Sequence, residues 1–315
     1  MTMTLLGRPR SKAQPGPGPT PQALLRALDV TVGRRIHGLV PGEFRAHDLG
    51  GGTELAQVRP YEPGDDVRRI DWNVTARTTV PHVRVHVPER ALTTWLVLDV
   101  SPSMTFGTAD RRKADVAEGV AVALGHVATQ RGNRLGILTF GGSQDRRLRP
   151  TGGRQGLLAL LLSARNDGDA AAADGRDPVG ARSPAAALRF VAGAAARGGL
   201  VAVVSDFRGP RDWGRVLAAA AARHQVLAIE IRDPREDDLP DVGELTLIDA
   251  ETGRAVRVDT SSRALRERFA TAAATDRASL RSELRRLGVH HIVLSTSGSW
   301  LRSLAGQLRV LGIAS

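Results

Sequence analysis

An aspartate and two serines at alternate positions follow an apolar run in the stretch WLVLDVSPSM, residues 95–104. The run before Asp99 is typical of a strand that is buried on both faces, and Pro102 ends it. The carboxylate of Asp99 and the hydroxyls of Ser101 and Ser103 offer oxygen ligands, which Mg²⁺ prefers. The alternative is that these side chains only cap a turn or the next helix. The motif alone leaves both interpretations open.

The elements that must position Asp99 alternate between strand and helix patterns. Buried strands are predicted at 96–98, 135–140, 200–205 and 226–231, and a further strand at 290–295. Helices are predicted at 113–130, 156–164, 184–196, 213–224, 262–287 and 300–311, a hairpin at 245–258, and a loop at 166–180. This alternation predicts an α/β fold with a doubly wound, mainly parallel sheet. Ligands bind such sheets at the carboxyl ends of the strands, where Asp99 is placed.

Composition limits the class of protein. The chain has 315 residues, 42% of them hydrophobic, and no cysteine. We therefore expect a substantial core, no disulfide and no thiolate metal site. No apolar run approaches the length of a membrane span, and the N-terminus has too short an apolar core for a secretory signal. These features predict a cytoplasmic protein.

The net charge of +11 raises the question of a nucleic-acid partner. The positive charge is nearly all arginine, since lysine occurs only at Lys12 and Lys113. The arginines are scattered among acidic residues, which is typical of solvated helix faces. Tyr61 is the single tyrosine, and no aromatic cluster is available for base stacking. Nucleic-acid binding is therefore the least favoured function.

The first 90 residues differ in composition from the rest. Residues 1–21 are predicted to be a disordered tail because they are rich in proline and basic residues. Residues 22–90 form a second segment, with a short amphipathic helix at 22–32 and a strand at 83–87. Residues 91–315 then hold the α/β domain and its C-terminal helices.

The stretch VRPYEPGDDVRRIDWNVTARTTVPHVR, residues 58–84, carries a recognisable pattern. It resembles the signature of the domain of unknown function 58 (DUF58) family, Y-x-x-G-D-x-x-R-x-I-D-W followed by A-R. The matching positions are Tyr61, Gly64, Asp65, Arg68, Ile70, Asp71, Trp72, Ala76 and Arg77. In that family the signature precedes a von Willebrand factor A-like domain of Rossmann type. The resemblance thus implies the same fold class, with a β-containing N-terminal extension.

Two roles are open for the signature. Its charged residues predict an ion-pair and hydrogen-bond network that fixes the segment onto the neighbouring domain, with Trp72 as an apolar anchor. The alternative is an exposed partner-binding patch. A catalytic acid/base pair of Asp65 and Asp71 is less favoured, because no histidine or nucleophile accompanies it.

The resemblance also implies a metal-ion-dependent adhesion site. In A-like domains this site combines D-x-S-x-S with a threonine from a second loop and an aspartate from a third. Asp99, Ser101 and Ser103 match the first loop, and Asp206 after LVAVVS matches the third. In the second loop Ser183 is the nearest candidate, and Thr139 and Thr151 are poorer ones. The implied cofactor is Mg²⁺ or Mn²⁺.

Sequence motifs of common enzymes are absent: no P-loop, no G-x-S-x-G elbow and no H-E-x-x-H. We therefore expect a non-enzymatic protein-interaction module. The resemblance implies a MoxR-type AAA+ ATPase as partner, in chaperone-like assembly or activation of a client protein. The alternative is a hydrolase that uses the same metal to activate water.

Overall fold

The computed structural model describes residues 3–5, 54–87, 93–129, 134–142, 147–152, 184–194, 198–250 and 252–310. The predicted helices at 22–32 and 156–164, the loop at 166–180 and Ser183 lie outside these ranges. Contacts divide the chain into two compact units, one of residues 1–39 and 92–315 and one of residues 40–91.

The larger unit is built on a six-stranded sheet. Its strands are β4 (Thr93–Asp99), β5 (Arg134–Phe140), β6 (Arg147–Gly152), β7 (Leu200–Ser205), β8 (Gln225–Arg232) and β11 (His290–Ser295). Their order across the sheet is β11-β8-β7-β4-β5-β6. All neighbours are parallel except β5 and β6. The predicted fold class, a doubly wound and mainly parallel α/β sheet, is confirmed.

The strand order reverses direction between β4 and β7. The chain moves from β4 to β5 and β6 on one side, then returns to place β7, β8 and β11 on the other. Open α/β sheets bind ligands in the crevice at such a switch point, beyond the carboxyl ends of the strands. Asp99 ends β4, and Asp206 directly follows β7. The topology therefore brings both aspartates to the ligand-binding position of this fold.

Helices cover both faces of the sheet. They are α2 (Lys113–Thr129), α3 (Pro184–Ala194), α4 (Gly214–Ala221), α5 (Arg263–Arg286) and α6 (Trp300–Val310). One core layer joins Leu96 and Leu98 of β4 to α2 and α6, and the other joins Trp95 and Val97 to α3, α4 and α5. Alternate residues of β4 thus enter opposite layers, as a strand buried on both faces requires.

Three short strands form a separate antiparallel sheet within the larger unit. The predicted hairpin is β9 (Glu244–Asp249) and β10 (Ala255–Asp259), and β1 (Met3–Leu5) pairs with β9. β1 was not predicted, since its residues belong to the expected disordered tail of residues 1–21. Backbone pairing at an open sheet edge depends little on side chains, which explains why composition missed it.

The smaller unit contains a two-stranded sheet and a short helix. β2 (Glu54–Pro60) pairs antiparallel with β3 (His82–Val87), and α1 (Trp72–Thr78) lies between them in the chain. The strand expected at 83–87 is confirmed, whereas β2 and α1 were not predicted. Their sequences, ELAQVRP and WNVTART, lack the long apolar periodicity by which strands and helices are recognised.

Candidate functional site

The first loop of the site follows β4. The backbone N–H of Ser101 donates to Asp99 Oδ1 at 2.9 Å, and the Ser101 and Ser103 hydroxyl oxygens lie 3.0 Å apart. A 3₁₀ turn at Pro102–Thr105 holds Ser103 in the interior, with proline at its first position. Proline fits there because the first N–H groups of a helix need no internal partner. The D-x-S-x-S spacing thus turns three oxygen-bearing side chains toward one another.

The second part of the site follows β7. The Ser205 hydroxyl donates to Asp99 Oδ2 at 2.5 Å and accepts from the backbone N–H of Phe207 at 2.9 Å. Phe207 has a left-handed φ of 54°, uncommon for a bulky residue, and its ring packs edge-on against Trp213 at 5.7 Å. Asp206 lies in this turn, directly after β7, and its carboxylate accepts a hydrogen bond from the hydroxyl of Ser103.

The structure brings together four of the five predicted metal ligands. Asp99 is joined to β7 through Ser205, and Ser101 is joined to Asp206 through Ser103. All four side chains are buried or nearly so. Ser183, the fifth, lies outside the described residues.

Strand register tests the two poorer second-loop candidates. Thr151 pairs with Leu135 at the start of β5, whereas Asp99 pairs with Phe140 at its end. At about 3.3 Å per residue, Thr151 is thus at the opposite edge of the sheet from Asp99. Thr139 pairs with Leu98 inside the sheet and is almost inaccessible. Neither threonine belongs to a loop at the site.

Gly141, directly after β5, has no side chain and so leaves room for the first loop of the site. A methyl group at Gly141 would lie 2.8 Å from the Cβ of Ser101 and 3.1 Å from Asp99 Oδ1. Its φ of +83° also favours glycine. The site therefore requires glycine here for both space and backbone conformation.

Sequence reasoning missed two charged residues of the site. Lys113, the first residue of α2, donates from Nζ to Asp206 Oδ2 at 2.5 Å and to Glu236 Oε1 at 2.7 Å. The Lys113 side chain is 0% exposed, and that of Glu236 is 3% exposed. The rarity of lysine in this chain was the one signal that pointed to Lys113. Nothing in the sequence pointed to Glu236, which is 123 positions away.

Burial and charge set the protonation of the two aspartates in opposite directions. Burial, and then the negative charge of Asp206, raises the pKa of Asp99 to about 7 despite its hydrogen bonds. Burial also opposes ionisation of Asp206, but the ammonium of Lys113, together with hydrogen bonds from Ser103 and the backbone of Arg208, holds the pKa of Asp206 below its usual value. Any shared proton therefore resides on Asp99, which leaves Asp206 ionised.

These residues fit a small oxygen-preferring cation. Two carboxylates and two hydroxyls meet at one edge. Burial and then the charge of Asp206 raise the pKa of Asp99, and a bound cation would favour its ionised form. Within the described ranges, no cluster of three or more His, Asp or Glu side chains is placed to hold a metal. The donor set is thus rich in hydroxyls and suits Mg²⁺ or Mn²⁺ better than zinc.

The signature segment makes mostly local contacts within the smaller unit. Arg59 forms a bidentate pair with Asp65 at 2.7 and 2.9 Å, and Gly64 takes a φ of +111° in the turn before Asp65. Asp71 caps α1 by accepting from the N–H groups of Asn73 and Val74. The structural role expected for these carboxylates is therefore local: one ion pair and one helix cap.

Trp72 is not buried within the smaller unit. Its side chain is 70% exposed, and Val67 and Val80 are also exposed. Trp72 is the first residue of α1, where the Asp71 cap fixes the backbone and leaves the indole outside. Arg68 and Arg77 are exposed as well and form no ion pair with any residue of the described ranges. The expected network of charges thus includes neither arginine.

Within the described part of the chain, no helix is long and apolar enough to cross a membrane.

Comparison with known proteins identifies the family. The family model described as "Protein of unknown function DUF58" matches residues 57–279. Uncharacterized protein Rv1480 of Mycobacterium tuberculosis is 42% identical over 283 residues, which cover 90% of this chain and 87% of that protein. Uncharacterized protein Mb1516 of Mycobacterium bovis matches with the same identity and coverage.

Similar solved structures include BatB from Bacteroides thetaiotaomicron, with a TM-score of 0.43 and 14% identity over 70% of this chain and 98% of that one. The SpRpn10 VWA domain has a TM-score of 0.36 and 14% identity over 69% and 95%. The family match covers well over half of the sequence, and the mycobacterial matches cover most of it. This chain belongs to the DUF58 family.

Proposed function

We propose that this protein is a non-enzymatic interaction module that binds a protein partner at the switch point of its sheet, with the help of a divalent cation. One observation carries the proposal: the carboxylates of Asp99 and Asp206 and the hydroxyls of Ser101 and Ser103 meet where α/β sheets bind ligands.

Each residue has a role in this proposal. Asp99 supplies the charge that attracts the cation, and Ser101 and Ser103 supply direct oxygen ligands. Asp206 and Ser183 supply further oxygens, directly or through water. A bound Mg²⁺ would supply positive charge to which a carboxylate of the partner could bind. The contact is then charge-assisted and depends on divalent metal.

The proposed partner is a MoxR-type AAA+ ATPase, with which the protein assembles or activates a client in a chaperone-like manner. This part rests on the family resemblance of the signature and of the A-like domain. The chain itself has no P-loop motif, so the nucleotide-driven step belongs to the partner.

The contacts of the site favour binding over hydrolysis. In the described part of the chain, Asp99 is bonded to Ser101 and Ser205, and Asp206 to Ser103, Lys113 and Arg208. No histidine is among these partners, and the carboxyl of Glu236 is bonded to Lys113 and to the backbone N–H of Asp233. A general base for water activation is therefore not provided by these contacts.

The arginines give little support for nucleic-acid binding. Several that lie on the surface of the larger unit are paired with acidic residues, which reduces the charge available to phosphates. These pairs are Arg211–Asp276, Arg263–Glu267, Arg266–Asp241 and Arg277–Asp237.

The signature offers a second surface for the same partner. The exposed indole of Trp72 suits a partner segment that offers an apolar residue. The acidic residues nearest in sequence, Asp65, Asp66 and Asp71, are already used in an ion pair and two caps. Asp66 and Asp71 keep their negative charges as caps, so the segment is close to neutral, and the exposed indole rather than the net charge supports this surface.

Affinity purification tests the proposal. Three tagged samples are recovered from the cells that make the protein: the wild type in Mg²⁺, the wild type in EDTA, and Asp99→Ala in Mg²⁺. The MoxR-type ATPase that is recovered with each sample is quantified by mass spectrometry. We expect the ATPase with the wild type in Mg²⁺ and a strong, similar loss in the other two samples. Equal recovery in EDTA would show that the contact does not depend on metal.

A further inference from the structure

A buried ammonium group lies inside the candidate metal site. Lys113 Nζ is 2.5 Å from Asp206 Oδ2 and 2.7 Å from Glu236 Oε1, and its side chain has no exposed surface. The ring of Phe106 lies 5.8 Å from Nζ and closes another side. A buried lysine persists only where its charge is compensated, and here two carboxylates compensate it.

A network of hydrogen bonds holds Glu236 in place for this contact. The backbone N–H of Asp233 donates to Glu236 Oε2 at 3.0 Å, so Oε1 is left to face Lys113. Asp233 is itself fully buried and accepts from the hydroxyls of Thr108 and Thr296. The ammonium is therefore not a flexible surface charge that moves aside at low cost.

The ion pair with Lys113 occupies an oxygen of Asp206 that could otherwise bind a metal ion. Asp206 Oδ1 accepts the backbone N–H of Arg208 at 3.1 Å, and Oδ2 accepts from Lys113. Both oxygens of the third-loop aspartate are engaged within the protein. With every carboxylate ionised, the formal charge of Asp99, Asp206, Glu236 and Lys113 together is −2 rather than the −3 of the carboxylates alone. Arg208, 3.7 Å from Glu236 Oε2, is a second and partly exposed cation beside the site.

We propose that Lys113 is a resident cation of this site, which weakens divalent-metal binding by the free protein and makes the metal-loaded site a better acceptor for an acidic partner. The inference rests on the proposed function. A divalent ion near the ammonium is repelled by it, and this repulsion is appreciable in a buried site of reduced dielectric. Once the ion is present, the extra positive charge attracts an incoming carboxylate. Lys113 thus couples metal binding to partner binding.

Removal of the ammonium tests this directly. Lys113→Met keeps an unbranched apolar chain and removes the charge. Binding of Mn²⁺ alone is measured by the loss of its free electron paramagnetic resonance signal. We expect Lys113→Met to bind Mn²⁺ at least about tenfold more tightly than the wild type, because the charge repulsion is gone. Thermal unfolding with and without Mg²⁺ gives a second readout: the ion should raise the midpoint more in the variant.

A second variant covers the case in which Lys113→Met does not fold, since it leaves two buried carboxylates uncompensated. Lys113→Met/Glu236→Gln removes one negative and one positive charge together and frees Asp206 Oδ2. It should also bind Mn²⁺ more tightly than the wild type. Equal or weaker binding by whichever variant is folded would overturn the role of Lys113.

Asp99→Ala distinguishes this inference from the proposed function. Suppose that Asp99→Ala loses Mn²⁺ binding while the folded lysine variants bind Mn²⁺ as the wild type does. This result would contradict the proposed role of Lys113 but would support the metal site. Equal Mn²⁺ binding by Asp99→Ala and the wild type would overturn the site itself.

Discussion

Asp99 is a carboxyl whose surroundings oppose its own ionisation. It is buried, and Asp206, which Lys113 keeps ionised, is the nearest acidic partner of the site. Its folded pKa of about 7 exceeds the ordinary value of 3.8, so the folded state binds the proton more tightly than the unfolded state. The contribution of Asp99 to stability is therefore full below the ordinary pKa and is lost as pH rises toward the folded pKa.

Asp99→Asn tests this pH dependence. Between pH 5 and pH 8 in EDTA, the wild type should lose about 2–3 kcal/mol of unfolding free energy relative to Asp99→Asn, whose amide does not titrate. Urea denaturation of both proteins at each pH measures the difference. Mg²⁺ should restore the loss at pH 8 in the wild type only. Parallel pH profiles for the two proteins would contradict the assigned environment of Asp99.

Gly141→Ala tests the close approach of β5 to the first loop. The added methyl group would meet Ser101 and Asp99, so we expect a loss of about 2–3 kcal/mol, from strain at positive φ together with the clash. Gly243→Ala is the matched control, because its φ of +78° is similar and nothing lies within 4 Å of the added Cβ. Urea denaturation should show a clearly smaller loss for the control. Equal losses would mean that only the backbone conformation matters at Gly141.

How well the sequence predicts the site differs from one residue to the next. Asp99, Ser101 and Ser103 are close in the chain, so their spacing alone placed them in one turn. Asp206 was found because it follows a buried strand. Lys113 and Glu236 were not found, because the fold joins them across 123 positions and no local pattern records such a contact. The exposure of Trp72 was not predicted, because composition does not distinguish a buried indole from an exposed one.

At the scale of elements, the switch point between β4 and β7 explains why two distant motifs form one site. The buried strands were predictable because their apolar runs are continuous. β6 was not, since RLRPTG is polar and contains Pro150, which an edge strand tolerates. The second loop could not be assigned from sequence, and register now places Thr151 at the far edge of the sheet.

The helix cap of the signature gives a prediction for the smaller unit. Asp71→Ala removes the acceptor for two backbone N–H groups at the start of α1 and should cost about 1 kcal/mol. Asp71→Asn keeps an acceptor oxygen and should lose less. Thermal unfolding of the full chain compares the two variants. A larger loss for the asparagine variant would contradict a capping role.

The exposed indole of Trp72 is predicted to matter for partner binding and not for stability. Trp72→Ala should change stability by less than about 0.5 kcal/mol, because little surface is buried there. If this surface binds the partner, the variant should nevertheless weaken the complex at least about tenfold, as buried interface tryptophans do. Val242→Ala, at an exposed apolar residue of the larger unit, is the control and should affect neither property. Full binding by Trp72→Ala would exclude the signature as a docking surface.

At the scale of the whole molecule, two compact units carry different parts of the proposed function. The sheet unit holds the oxygen-rich site, and the unit of residues 40–91 holds the signature and its exposed tryptophan. The net charge of +11 suggested a nucleic-acid partner, but arginines paired with acids reduce that argument. An excess of positive charge also speeds the encounter with an acidic protein and loses this effect in salt.

Binding of the purified MoxR-type ATPase to this protein, measured by calorimetry with wild type and Asp99→Ala in Mg²⁺ and in EDTA, tests the central claim most directly. We predict that EDTA and the substitution weaken binding by a similar factor, and that EDTA has no further effect on the variant. Arg281→Ala, a change of an exposed charge on α5, serves as the control and should bind like the wild type. Equally tight binding of the wild type in EDTA and in Mg²⁺ would contradict a metal-dependent docking site.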